Sequence, residues 1–127
     1  MTPLATVEAF IDAWSDYDLE TITSFLADDV EWTDVPLTTV YGIGEVRRKL
    51  AGFRDVEASA FEIQSIAVNG NVVLTERVDW FRITGRRRTI HVMGVFEING
   101  EGKIRKWRDY FDSAEFYREF GDLASDA

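Results

Sequence analysis

Residues 71–111 read NVVLTERVDWFRITGRRRTIHVMGVFEINGEGKIRKWRDYF, and this stretch decides the fold. Three runs rich in β-branched and aromatic residues, Asn71 to Ile83, Arg86 to Ile98 and Lys103 to Phe111, are separated by Thr84-Gly85 and Asn99-Gly100. Such dipeptides supply the positive φ angles that tight hairpin turns require. A fourth run, Ala60 to Val68, ends at Asn69-Gly70. The pattern predicts an antiparallel meander. Runs of ten or more residues exceed the usual strand of about five or six, so the sheet is expected to bend around something.

Upstream the period changes from two to that of a helix. Thr2 and Pro3 suit an N-cap and a first turn, and Leu4, Val7, Phe10, Ile11 and Trp14 follow at helical spacing. A second, short helix starts at Asp18 with Leu19, Ile22, Phe25 and Leu26 on one face, and Asp28-Asp29 breaks it. Val30 to Val35 alternates as a strand that Pro36 stops. Gly42 then leads into a helix whose Ile43, Val46, Leu50 and Phe53 share a face. Asp112 with Glu115 three residues later resembles a capping box for a last helix, Ser113 to Phe120, with Phe116 and Phe120 inward. Helices first and a meander second predict an α+β domain: a curved antiparallel sheet with N-terminal helices, closed as a cone around a small-molecule pocket. At 127 residues a single domain over 1–127 is expected.

Composition excludes several classes. A net charge of −9 opposes nucleic-acid binding. The absence of cysteine removes thiolate nucleophiles, disulfides and cysteine-ligated metals, and one histidine cannot build a multi-histidine site. No apolar run reaches the roughly 18 residues of a membrane span, and the N-terminal segment lacks the pattern of a signal peptide. A cytoplasmic protein without metal or cofactor, and without a membrane or nucleic-acid partner, is expected.

Carboxylates, arginines and aromatics remain to carry chemistry. In VVLTERVDWF, alternation puts Val73, Thr75, Arg77, Asp79 and Phe81 on one face; in IRKWRDYF it groups Arg105, Trp107, Asp109 and Phe111. An unpaired buried carboxylate costs several kcal/mol, so Asp79 and Asp109 must each be paired or protonated. If the two faces meet, Arg77 bridges both, and one carboxyl holding a proton gives an acid and a base in one pocket. A structural ion pair is the other reading of the same residues. His91 reads as a hydrogen-bonded wall residue, Arg86-Arg87-Arg88 as a solvated hairpin tip, and Phe116, Tyr117 and Phe120 as lid or core.

The strings VPLTTVYG (Val35 to Gly42), KLAGF (Lys49 to Phe53), TERVDW (Thr75 to Trp80) and GVFEINGEGKIRKWRDYFD (Gly94 to Asp112) resemble the limonene-1,2-epoxide hydrolase family, a branch of the NTF2-like, SnoaL-like cone folds. The resemblance implies a cofactor-free reaction on a small epoxide. It implies Asp79 as the acid that protonates the epoxide oxygen, Asp109 as the base that activates water, and Arg77 holding both. Trp32 and Asp34 fall where the family carries a tyrosine and an asparagine that position the water. Trp107, Phe111 and Leu37 would line the substrate pocket. A homodimer through the sheet's outer face, near Leu74 and Trp80, is also implied. An isomerase or cyclase of the same cone, or a non-catalytic ligand-binding or dimerisation module, are the alternatives.

Overall fold

A computed structural model describes residues 1–124; the last three positions of the expected 1–127 domain lie outside the described residues. The elements run α1 (Pro3–Ala13), α2 (Leu19–Ser24), β1 (Leu26–Val35), β2 (Thr38–Tyr41), α3 (Ile43–Ala51), β3 (Val56–Asn69), β4 (Val72–Ile83), β5 (Arg86–Ile98), β6 (Ile104–Phe111) and α4 (Ser113–Ala124). The sheet is curved and unclosed, with strand order β2-β1-β6-β5-β4-β3. The expected meander is present as antiparallel β3 to β6. The β1–β2 hairpin joins its free edge by a parallel pairing of β1 with β6, which sets Trp32 beside Trp107 and Asp34 beside Asp109.

Local chemistry explains most boundaries. Thr2 Oγ1 caps α1 by accepting from the Ala5 N–H at 3.1 Å, with proline in the first turn. Asp18 caps α2 in the same way through Glu20 N–H. Thr84 and Gly85 both take positive φ, 55° and 71°, as a two-residue hairpin turn of this hand demands.

Four expectations change. β1 begins at Leu26 rather than Val30, because an irregularity in its pairing with β6 between Leu26 and Glu31 exposes Asp28 and Asp29 together and hides the alternation. The four-residue β2 is too short to leave a periodic signal. Asp112 Oδ1 does accept from Ala114 N–H, but Glu115 turns to His91 instead of closing a capping box, and α4 runs on to Ala124. In the arginine triplet, Arg86 and Arg87 are exposed while Arg88 is buried and donates to the Ile83 and Glu119 carbonyls. Arg88 therefore ties α4 to the hairpin and is no solvated tip.

The core lies between α1 and the concave face of the sheet. Phe10 is fully buried and meets Trp14, Phe25, Phe96 and Trp107 edge-on, with ring centroids 5.1 to 6.2 Å apart. Edge-to-face contacts of this kind add about 0.5–1.5 kcal/mol each beyond area burial. Trp14 in turn stacks on Phe61 of β3 at 4.3 Å. Phe10→Ala should therefore cost about 3–5 kcal/mol of stability in urea unfolding; wild-type stability would contradict this account of how α1 is held.

Candidate active site

One cavity opens inside the cone, with about 550 Å³ of empty space when its mouth is included. Nine of its fourteen lining side chains are aromatic, two are aliphatic, and the other three are the carboxylates Asp34, Asp79 and Asp109. No lysine, arginine or neutral polar side chain lines it. The indole N–H groups of Trp14, Trp32 and Trp107 are buried with no hydrogen-bond partner among the described residues. Such a surface takes an apolar molecule and reserves its few polar atoms for orientation.

The carboxylates are arranged by register. Thr75, Gly94 and Asp109 face one another across β4, β5 and β6, and Arg77 reaches along this row. Its Nε and Nη2 donate to Asp79 Oδ1 and Oδ2 at 3.0 and 2.8 Å, and Nη1 donates to Thr75 Oγ1 at 2.9 Å. Nη2 also lies 3.2 Å from Asp109 Oδ1, close enough for an ion pair. The geometry there is outside that of a hydrogen bond, so Oδ1 has no hydrogen-bond partner among the described residues. Gly94 makes room for the guanidinium. A Cβ there would clash with Arg77 Nη1 and sit 2.8 Å from Asp109 Oδ1 and 2.9 Å from Thr75 Oγ1.

Arg77, Asp79 and Asp109 are all buried. Burial pushes the Asp109 carboxyl up to about 6; Arg77 opposes this, while the charges of Asp79 and Asp34 add to it. Burial likewise raises Asp79, against the pull of Arg77. For Arg77, burial alone would lower its pKa, but the two aspartates at contact outweigh this and hold it cationic. The unit of two carboxylates and one guanidinium carries −1, and one proton makes it neutral. The low-dielectric setting therefore favours one protonated and one ionised carboxyl.

Other residues singled out from the sequence fall into place around this unit. Trp32 lies flat on Trp107, with rings 4.1 Å apart and 2° from parallel. Asp34 lines the cavity beside Asp109, and its Oδ2 accepts from Lys49 Nζ of α3 at 2.6 Å. Trp107 and Phe111 line the cavity, together with Phe116 and Phe120 of α4. Leu37 does not. It sits in the turn between β1 and β2, where its N–H bonds back to the Asp34 carbonyl, and it is not among the lining residues. His91 is exposed on the outer face, with Nδ1 2.8 Å from Glu115 Oε2. Gly94 and Lys49 were missed as site residues. A glycine in mid-strand was a usable signal of close approach, whereas nothing in the spacing of Lys49 marks it. Among the described residues no cluster of three or more histidine, cysteine or acidic side chains has the arrangement of a metal site, and no helix is long and apolar enough to cross a membrane.

A curved sheet of this topology with helices closing a pocket is the NTF2-like, SnoaL-like fold, here with three carboxylates on the pocket wall. The same architecture occurs in a SnoaL-like polyketide cyclase described as putative from Shewanella denitrificans, with a TM-score of 0.83 over 94% of this chain and 97% of that one, at 14% identity. Residues 1–121 match the limonene-1,2-epoxide hydrolase catalytic domain. The chain is 33% identical over 112 residues to the epoxide hydrolase EphG of Mycobacterium tuberculosis, covering 88% of this chain and 74% of the relative. A solved LEH-like epoxide hydrolase from M. tuberculosis superposes with a TM-score of 0.81 at 31% identity, covering 98% of this chain and 96% of that one. The chain belongs to the limonene-1,2-epoxide hydrolase family.

Two predictions follow from the packing of the carboxylates. Gly94→Ala should displace the Arg77 guanidinium and leave buried acid groups uncompensated, lowering stability by about 3–5 kcal/mol; a wild-type urea midpoint would show that Arg77 has room to spare. The second concerns pH. The folded Asp109 pKa of about 6 lies above its ordinary 3.8, so between these values the folded state binds the extra proton. The stability from this group is therefore complete at low pH and lost as pH rises through about 6. Asp109→Asn cannot ionise, so its stability relative to wild type should improve from pH 4 to pH 7; a relative stability in urea unfolding that stays flat or falls over this range contradicts the burial argument.

Proposed function

We propose that the protein is an epoxide hydrolase that adds water to a small, mostly apolar epoxide in one step, giving a vicinal diol without a cofactor. The observation that carries this reading is the pair of buried carboxyls with unequal surroundings that share one arginine and both face an aromatic cavity. A strained ether opens when its oxygen is protonated while water attacks carbon, and this needs one acid and one base at the same moment.

In this reading Asp79 is the acid and Asp109 the base. The assignment is supported by the neighbourhood of Asp109: Asp34 stands opposite it on the next strand, in register. Asp34 Oδ1 and Asp109 Oδ2 both lack a hydrogen-bond donor among the described residues, whereas Asp109 Oδ1 is buried against Arg77 and Gly94. A water donating one hydrogen to each carboxylate keeps a lone pair free for the substrate. As its oxygen bonds to carbon, the ring C–O bond breaks, Asp79 passes its proton to the leaving oxygen, and Asp109 takes the water's proton. Return of that proton to Asp79 closes the cycle. The two Arg77 hydrogen bonds to Asp79 fit the carboxylate it becomes, and Trp32 and Trp107 wall off the water. The same bidentate contact favours the reverse assignment in the resting state, with the proton on Asp109; infrared detection of the protonated carboxyl in Asp79→Asn and Asp109→Asn separates the two.

A homodimer through the outer sheet face belongs to this reading. It is supported by exposed Leu74, Met93 and Tyr110 on that face, where Met93 pairs with Tyr110 across β5 and β6. The functional test is a panel of terpene, styrene and cycloalkene oxides assayed for diol. Asp79→Asn and Asp109→Asn should each lower turnover by about 10² to 10⁴ while staying folded. Near-normal diol formation in either variant removes that residue from the mechanism, and enone isomerisation without diol formation would replace hydrolysis by isomerase chemistry. Single turnover in ¹⁸O-labelled water should place the label directly in the diol. An unlabelled first product would instead indicate an ester to the enzyme.

A further inference from the structure

Lys49 belongs to no motif of the reaction just described, yet its ammonium touches both Asp34 and Trp32. It extends from the last turn of α3, which is anchored by buried Val46 and Leu50. Its Nζ is 2.6 Å from Asp34 Oδ2 and 3.9 Å from the centroid of Trp32. Trp32 is stacked on Trp107, two residues before Asp109. One cation thus closes two chains of contact that end at the proposed base: a stack of ammonium on indole on indole, and an ion pair to the neighbouring carboxylate. Both side chains of the ion pair are about one-fifth exposed, so solvent screens it only in part.

We propose that Lys49 is a positioning residue: it clamps Asp34 Oδ2 so that Oδ1 serves beside Asp109 as the second acceptor for the attacking water, and it cancels the charge that would make Asp34 a competing base. The proposal rests on the hydrolase reading. The charged groups around Asp109 are Arg77 and Asp79 from β4, Asp34 from β1 and, behind Asp34, Lys49 from α3. The rest of the lining, from α4, β3, β5 and the residues Trp14 and Phe53 that follow α1 and α3, is aromatic and aliphatic only. No cation lines the cavity itself, so the charge of Asp34 is offset from behind, by Lys49. Without Lys49 the full field of the Asp34 carboxylate would act on Asp109, and a like charge on the neighbouring strand favours the protonated form of Asp109. A carboxylate free to rotate would also lose the geometry in which two acceptors hold one water.

Lys49→Met keeps the apolar stem over Trp32 and removes the charge. It should lower kcat about tenfold with little change in KM, and move the acidic limb of the kcat/KM profile to higher pH by about half a unit to one unit. Lys49→Arg should keep the wild-type limb. Lys49→Met combined with Asp34→Asn should bring the limb back to or below its wild-type position, because the uncompensated charge is gone. A merely structural lysine would lower thermal stability and leave the limb in place. A limb that stays put in Lys49→Met, or moves equally in Lys49→Arg, overturns the assignment. The ¹³C carboxyl titration of Asp109 provides a readout that needs no turnover: its midpoint should rise in Lys49→Met and fall back in the double variant, and an unchanged midpoint overturns the proposal. If Asp79→Asn and Asp109→Asn both retain activity, the hydrolase reading fails on its own, while the titration still reports whether Lys49 sets the charge at Asp109.

Discussion

A guanidinium buried across the middle strand of a sheet is the constraint on which the rest depends. Arg77 finds acceptors for its donors only because Asp79 is two residues along the same strand, Thr75 two residues back, and Asp109 two strands away. The strand between must be bare at the crossing point, and Gly94 supplies that gap. Thr75, Gly94 and Asp109 must therefore stand in one row. A slip of one residue in β5 would bring Met93 or Val95 to the crossing and turn every side chain to the opposite face. The ion cluster and the register of β4, β5 and β6 thus enforce each other, and removing Arg77 would strand two acids in an apolar interior.

How much of this is legible in the sequence follows from what each signal encodes. Alternation in VVLTERVDWF puts Arg77 and Asp79 on the concave face, and Trp107, Asp109 and Phe111 of β6 follow the same rule. Arg105, grouped with them by strict alternation, is exposed and paired with Asp29 instead, because a register shift opposite Glu97 and Ile98 inserts it as an extra residue. The same parity puts Arg88 on the side of Ile90 and Val92, so its burial was readable once the triplet was treated as strand rather than as a charge run. Lys49 was not readable. On α3 it sits among Arg47 and Arg48 and resembles solvated helix surface, and its partners lie on a strand fifteen and seventeen residues earlier, across a turn and a hairpin. Periodicity reports which face a residue occupies; it does not report which element comes to cover that face. The parallel pairing of β1 with β6 is of the same kind, since it joins segments some 75 residues apart.

The aromatic lining and the charge cluster also need each other. Charges interact far more strongly with water excluded than in solvent, so the proton distribution between Asp79 and Asp109 is decided inside the cluster rather than by bulk screening. Aromatic packing does the excluding: Trp14 on Phe61, Trp32 on Trp107, and Phe116 on Phe120 at the α4 side. With Asp34, Asp79 and Asp109 as the only charged groups on the cavity wall, an anionic molecule meets only like charge there. The lining thereby selects neutral guests before any chemistry begins.

The same wall separates substrate from product on the proposed reaction. An epoxide presents one acceptor oxygen and an apolar body, which suits an aromatic cavity whose polar wall groups are carboxyls, one of them holding a proton on this proposal. The diol carries two hydroxyl donors that must find acceptors. Both oxygens of Asp79 are engaged by Arg77 and one of Asp34 by Lys49. A hydroxyl that leaves water without a compensating hydrogen bond loses about 1–3 kcal/mol on protein-derived scales, so the polarity created by the reaction itself weakens the grip of the pocket. On the proposed reaction the acceptors left on the wall are one oxygen each of Asp34 and Asp109, so an otherwise apolar cone offers the two hydroxyls of a diol less than bulk water does and suits the epoxide better.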